Sequence, residues 1–129
     1  MPEAVLIDSS IVIDDLRGVP AAHAYLTPLL DRRAAFLHPV GVAEILIGAR
    51  NRSHLARLNA VIGLFRLVNA KNVDFLASLD LLRTHSLSHD VGWADCLIAA
   101  SCIRLDLPIA TLNVKHFRVF RGLRVVRPY

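Results

Sequence analysis

Val5-Leu6-Ile7-Asp8-Ser9-Ser10 runs through three apolar residues and turns polar at an acid. Three apolar side chains in succession leave no solvent face, so Glu3–Asp8 reads as a short buried strand that ends at Asp8. Ser9 or Ser10 can cap a helix running to about Arg17, and Gly18 is placed to stop it.

The same alternation continues outward from that stretch. Pro20 to about Arg32 reads as a helix, with proline tolerated in the first turn, and Ala34–His38 as a strand. Pro39 and Gly41 then punctuate, and a helix carries Glu44 in its first turns. Ser53 is placed to cap a helix with Leu55, Leu58, Ile62 and Phe65 at helical spacing. Leu67–Asn69 reads as a short strand. Asn72 or Asp74 opens a helix through Leu82, and a polar loop with two histidines follows. Asp95 lies near the start of a helix ending at about Leu105, before strands at Pro108–Leu112 and Leu123–Val126. Short apolar strands alternating with helices imply an α/β fold with a parallel sheet covered on both faces. Such sheets collect ligands at the carboxyl ends of their strands.

Composition sets the outer bounds. The 129 residues suit one domain, taken as 1–129, with one core. Hydrophobic residues make up 54% and mean hydropathy is +0.46, which raises the question of a membrane. A spanning helix needs roughly 20 mainly apolar residues. Val40–Ala49 is interrupted by Glu44, and Asp95–Leu107 by Arg104 and Asp106. Glu3 and Asp8 interrupt the short N-terminal apolar run, so no signal peptide is read there. The expectation is a cytoplasmic protein with no membrane segment, whose surplus apolar surface serves a partner. Cys96 and Cys102 read as reduced thiols filling the core. The formal net charge of +4 suits a polyanionic partner, although solubility alone would also account for it.

Asp8, Glu44 and Asp95 each stand in apolar sequence of the kind that builds a core. Carboxylates enter such surroundings when they are paired or bind a metal. Topology puts all three at one end of the sheet, together with Asn113, which follows Ile109-Ala110-Thr111-Leu112. An oxygen-only donor set favours a hard cation, Mg²⁺ first and Mn²⁺ as a close substitute. Such an ion can polarise a phosphate and activate a bound water. Plainer readings exist for each acid: a helix cap for Asp8, an arginine partner for Glu44, a helix-dipole acid for Asp95.

Four segments resemble a known family in its order. They are Leu6-Ile7-Asp8-Ser9-Ser10 with Asp14-Asp15-Leu16-Arg17-Gly18, then Val42-Ala43-Glu44-Ile45-Leu46-Ile47-Gly48-Ala49, Ala94-Asp95-Cys96-Leu97-Ile98-Ala99-Ala100, and Thr111-Leu112-Asn113-Val114-Lys115-His116-Phe117. Together they resemble PIN-domain proteins over residues 4–129, most closely the VapC toxins of VapBC-type, type II toxin–antitoxin pairs. The resemblance implies a Rossmann-like three-layer α/β/α sandwich and a Mg²⁺-dependent endoribonuclease that cuts RNA. It implies a small cognate antitoxin over the active-site groove and a homodimer. Asp8, Glu44 and Asp95 become the metal-holding acids, with Asp8 and Asp95 the direct ligands. Asn113 joins the catalytic set, and Ser10, Thr111 and His116 support it. His116 stands where the family often has another acid, which lowers the pocket's negative charge.

Two alternatives keep the fold and change the function. One is a catalytically inactive RNA- or protein-binding PIN-like module, which has little use for concentrated negative charge. The other is a signalling receiver domain. That needs adjacent acids after the first strand, whereas serines follow Asp8. Arg17, Arg50, Arg52, Arg57, Lys115, Arg118 and Arg121 flank the motifs and can steer an RNA backbone or simply face solvent. Trp93 is expected in the core, with base stacking as the alternative. Asp14 and Asp15 are expected on an exposed helix face. His85, His89 and Asp90 read as a loop rather than a zinc site.

Overall fold

The computed structural model describes residues 3–87 and 90–129. Five parallel strands form one sheet in the order β3-β2-β1-β4-β5. They are β1 (Val5–Ile7), β2 (Ala35–Leu37), β3 (Arg66–Leu67), β4 (Ile109–Ala110) and β5 (Val125–Val126). Among the described residues seven helices connect and cover them: α1 (Ser9–Leu16), α2 (Pro20–Asp31), α3 (Pro39–Ile47), α4 (Arg52–Ile62), α5 (Asn72–His85), α6 (Trp93–Leu105) and α7 (Val114–Phe117). Among the described residues no helix is long and apolar enough to cross a membrane.

The apolar runs explain the layering. Val5 and Ile7 pack to one face with Ala35, Leu37 and Ala110, against α1, α2, α3 and α4. Leu6 and Ile109 point to the other face, against α6 and the rings of Phe117 and Phe120. A strand sandwiched in this way must be apolar at every position, which is what Val5-Leu6-Ile7 supplies. Each such aliphatic side chain contributes about 1.5–3 kcal/mol on burial. Cys96 and Cys102 are free thiols within this core.

Helix starts differ from the sequence reading, and the reasons are local. Asp8, not Ser9 or Ser10, occupies the N-cap of α1, yet its carboxylate makes no capping bond. Helix α3 starts at Pro39, so Glu44 falls in mid-helix rather than in the first turns. Its cap is His38, whose Nδ1 accepts from Val40 N–H at 3.1 Å. Asn51 rather than Ser53 caps α4, accepting from His54 N–H at 2.8 Å. The short α7 was not legible, because its four residues carry no periodic pattern.

A polar chain crosses the core between α5, α6 and β2. Asp74, 1% exposed, accepts from Arg104 Nε at 2.6 Å, Arg104 Nη2 at 2.9 Å and Ser101 Oγ at 2.9 Å. Ser101 Oγ in turn meets His38 Nε2 at 2.9 Å. Because Val40 N–H occupies Nδ1 and the Ser101 proton goes to Asp74, His38 must be neutral and carry its proton on Nε2. Burial pushes the His38 imidazole down to about 4, with Asp74 opposing. Arg104 holds the Asp74 carboxyl down at about 2.

Candidate active site

Parallel strands deliver their following residues to one edge, and three hydroxyl or carboxyl groups meet there. Asp8, at the end of β1, is 7% exposed. Its Oδ2 accepts from Ser10 Oγ at 2.8 Å and from Thr111 Oγ1 at 2.7 Å. Thr111 follows β4, the neighbour of β1, and is itself fully buried. Its Oγ1 also accepts from Asn113 N–H at 2.9 Å, which fixes the turn into α7. Two hydroxyls therefore lock the Asp8 rotamer through one oxygen, and Oδ1 receives no hydrogen bond among the described residues.

Glu44 reaches the same edge from α3. Its Oε1 accepts a long bond, 3.3 Å, from Ser9 Oγ. Burial pushes its carboxyl up, and the charge of Asp8 adds to the rise; Ser9 opposes, and Asp95 contributes further. Asp95 lies in the first turn of α6, with its side chain 23% exposed. Burial raises its carboxyl too, opposed by His116, whose Nδ1 stands 3.4 Å from Oδ2; the charge of Asp8 raises it further. The charge of Asp8 thus bears on both Glu44 and Asp95, although the three acids come from three separate segments. Among the described residues no group of three His, Cys, Asp or Glu side chains is already closed into a ligand cage. Asn113 is the N-cap of α7 and lines a cleft with His116 at the rim of this edge.

The sequence reading missed Ser9 as the partner of Glu44, having assigned it to helix capping. The basic residues separate into groups. Arg17, Arg50 and Arg57 line a cleft with Glu44, and Lys115 and Arg118 line the cleft with Asn113 and His116. Arg121 lies elsewhere, on the surface between α5 and α6. Trp93 is neither core nor free: it is 45% exposed, donates from Nε1 to Ser78 Oγ at 2.9 Å, and tilts against Phe75. Asp14 and Asp15 are partnered, with Tyr129 Oη donating to Asp14 at 2.9 Å and His23 Nδ1 lying 3.0 Å from Asp15. His85 closes α5, edge-on to Phe120. His89 lies outside the described residues.

A parallel α/β sheet with an acid fixed at the end of its first strand, and two further acids brought beside it by α3 and α6, defines a class. The PIN domain model matches residues 5–122, and the chain belongs to that family. Among curated proteins it is similar to ribonuclease VapC10 of Mycobacterium tuberculosis, 37% identical over 93% of this chain and 90% of the relative. Among solved structures it is similar to VapBC2 from Rickettsia felis bound to a promoter DNA fragment, with TM-score 0.81 and 17% identity over 95% of this chain and 97% of that one. It is also similar to a toxin–antitoxin complex from Klebsiella pneumoniae, with TM-score 0.77 and 24% identity over 98% of each chain.

Proposed function

We propose that the protein is an endoribonuclease that hydrolyses RNA phosphodiester bonds at a carboxylate-held divalent cation and acts in the cytoplasm as the toxin of a type II toxin–antitoxin pair. The observation that carries this reading is Asp8, held at the end of β1 by Ser10 and Thr111, with Glu44 and Asp95 close enough at the same sheet edge to feel its charge. A relative named ribonuclease, 37% identical, supports the activity, and neighbours solved as toxin–antitoxin complexes support the partner.

The donor chemistry fits a hard cation. Glu44 and Asp95, whose proton affinity burial and the charge of Asp8 raise, relax once a positive charge stands among them. Mg²⁺ retains several waters and takes one or two carboxylates directly, so it needs no closed three-acid cage. Asp8 and Asp95 would hold it directly and Glu44 through its waters, with Mn²⁺ as substitute. An ion held by these residues would supply a charge to polarise a phosphoryl oxygen and to lower the pKa of a bound water. Ser10 and Thr111 keep Asp8 in one rotamer through Oδ2, which leaves Oδ1 to serve as the cation's donor. His116 orients Asp95 from the rim, and Asn113 lines the same cleft as His116. We read residues 1–129 as a single PIN domain that pairs with a second copy of itself and is silenced by a small antitoxin laid over the groove.

The test is RNA cleavage by purified protein with Mg²⁺, then with EDTA, then with Asp8→Asn. Cleavage that depends on the ion and disappears in a folded Asp8→Asn variant is the expected result. A wild-type protein that binds RNA but leaves it intact at every divalent ion would instead identify a binding module.

A further inference from the structure

The acid pocket is flanked by two cationic clefts. The first, about 270 Å³, lies between α1, α3 and α4 and contains Glu44 itself. Arg17, Arg50 and Arg57 line it with His54, above apolar groups of Leu16, Ile45 and Leu58. The second, about 430 Å³, is built on the turn from β4 into α7 and on the end of β5. Lys115, Arg118 and Arg127 line it with Asn113 and His116. The strand order separates them. Helix α3 follows β2, on one side of β1, while β4 and β5 lie on the other. The two clefts therefore approach the acids from opposite sides of β1, one through Glu44 and the other through His116, which contacts Asp95.

The cations in them are available. Arg104, Arg83 and Arg124 all meet carboxylates, at Asp74, Asp80 and Glu3. Among the described residues none of the six cleft cations does. Two are instead held by one edge on backbone carbonyls: Arg57 Nη2 donates to Leu16 at 3.3 Å, and Arg127 Nη1 donates to Leu112 at 3.4 Å. Such anchoring fixes the guanidinium and leaves its remaining donors facing solvent, ready for a bidentate anion.

Resting on the ribonuclease reading, we infer that a single RNA strand crosses the molecule from one cleft to the other, with phosphates on both sides of the cut site held by Arg17, Arg50 and Arg57 and by Lys115, Arg118 and Arg127. The negative pocket between the clefts repels the strand unless it is held on both sides. The charged rim suits the RNA backbone. An acidic peptide is the other polyanion that could lie there, and the test separates the two.

Fluorescein-labelled single-stranded RNAs of graded length, bound in EDTA so that no cutting occurs, read the track by anisotropy. Wild type should gain affinity with length until a strand spans both clefts. The triple variants Arg17→Gln/Arg50→Gln/Arg57→Gln and Lys115→Gln/Arg118→Gln/Arg127→Gln should each bind the longest RNA tenfold or more weakly. Each should also lower the slope of log affinity on log salt by about 2, at about 0.7 per phosphate contact on a single strand. Should a triple variant fail to fold, Lys115→Gln/Arg118→Gln, both exposed, should still lower the slope by about 1. Wild-type affinity and slope in either folded triple variant would overturn the track. So would unchanged RNA binding with loss of binding to a polyglutamate peptide. A protein that cuts RNA but ignores both triple substitutions loses the track alone. One that binds through both clefts and never cuts loses the ribonuclease reading alone.

Discussion

The chain treats carboxylates in two opposite ways. At Asp74 a buried acid receives two bonds from one guanidinium and one from a hydroxyl, and its carboxyl is pulled down to about 2. At the sheet edge, Glu44 and Asp95 receive little, face Asp8, and hold their protons more tightly than usual. The first arrangement is satisfied and contributes to stability. The second is unsatisfied and works against stability until something positive arrives. Low energy at one acid and stored repulsion at the others distinguish a strut from a site.

Removing the pocket's first carboxylate should give the largest effect. Asp8→Asn keeps an acceptor for Ser10 and Thr111, so the fold should survive. RNA turnover should fall on the order of 10³-fold, as expected for losing several kcal/mol of transition-state stabilisation. Initial rates with equal circular dichroism spectra check this. Breaking the strut should reverse the pattern. Asp74→Ala strands Arg104 and Ser101 and should cost about 3 kcal/mol in urea unfolding, with activity per folded molecule retained.

Acid should separate the two regions next. His38 ionises at about 4 in the fold against 6.5 ordinarily. A depressed value means its contribution is complete above about 6.5 and declines as pH falls towards about 4. Asp74, depressed to about 2, keeps its contribution down to the ordinary carboxylate range near 3.8 and loses it below. Glu44 and Asp95 are raised, so their cost is absent at low pH and grows as pH rises through the raised values. Urea midpoints between pH 7 and pH 4 should therefore fall for wild type. They should fall less for His38→Phe, which starts about 2 kcal/mol lower through the lost cap and the stranded Ser101. The smallest effect belongs to Glu44→Gln, which should raise the melting temperature at pH 7 on the order of 1 °C and leave it unchanged at pH 4. Divalent ion should raise the melting temperature of wild type, by RT ln(1 + [ion]/Kd), and not that of Asp8→Asn.

Much of this architecture can be read from the residues. Val5-Leu6-Ile7 and Ile109-Ala110 are apolar throughout because both faces are covered, and that pattern is local. The parallel order follows from helices between strands, and so does the edge at which Asp8, Glu44 and Asp95 gather. What stayed hidden depends on partners far along the chain. Asp74 looks like a helix-opening acid until Arg104 and Ser101 are beside it, 30 and 27 residues later. His38 looks like the end of a strand, and only the next helix turns it into a cap. Arg57 looks like a solvated charge until Leu16 offers its carbonyl.

The hydroxyl of Thr111 joins Asp8 across 103 residues, and its strand β4 is the neighbour of β1. During synthesis, all three acids leave the ribosome before the second of the two hydroxyls that hold the first of them. A nascent chain that ends before Thr111 therefore lacks both that hydroxyl and the strand that seats β1. Chains halted after Leu107 should carry every acid of the pocket and cut nothing, and a halted chain that cut RNA would show that Thr111 is dispensable.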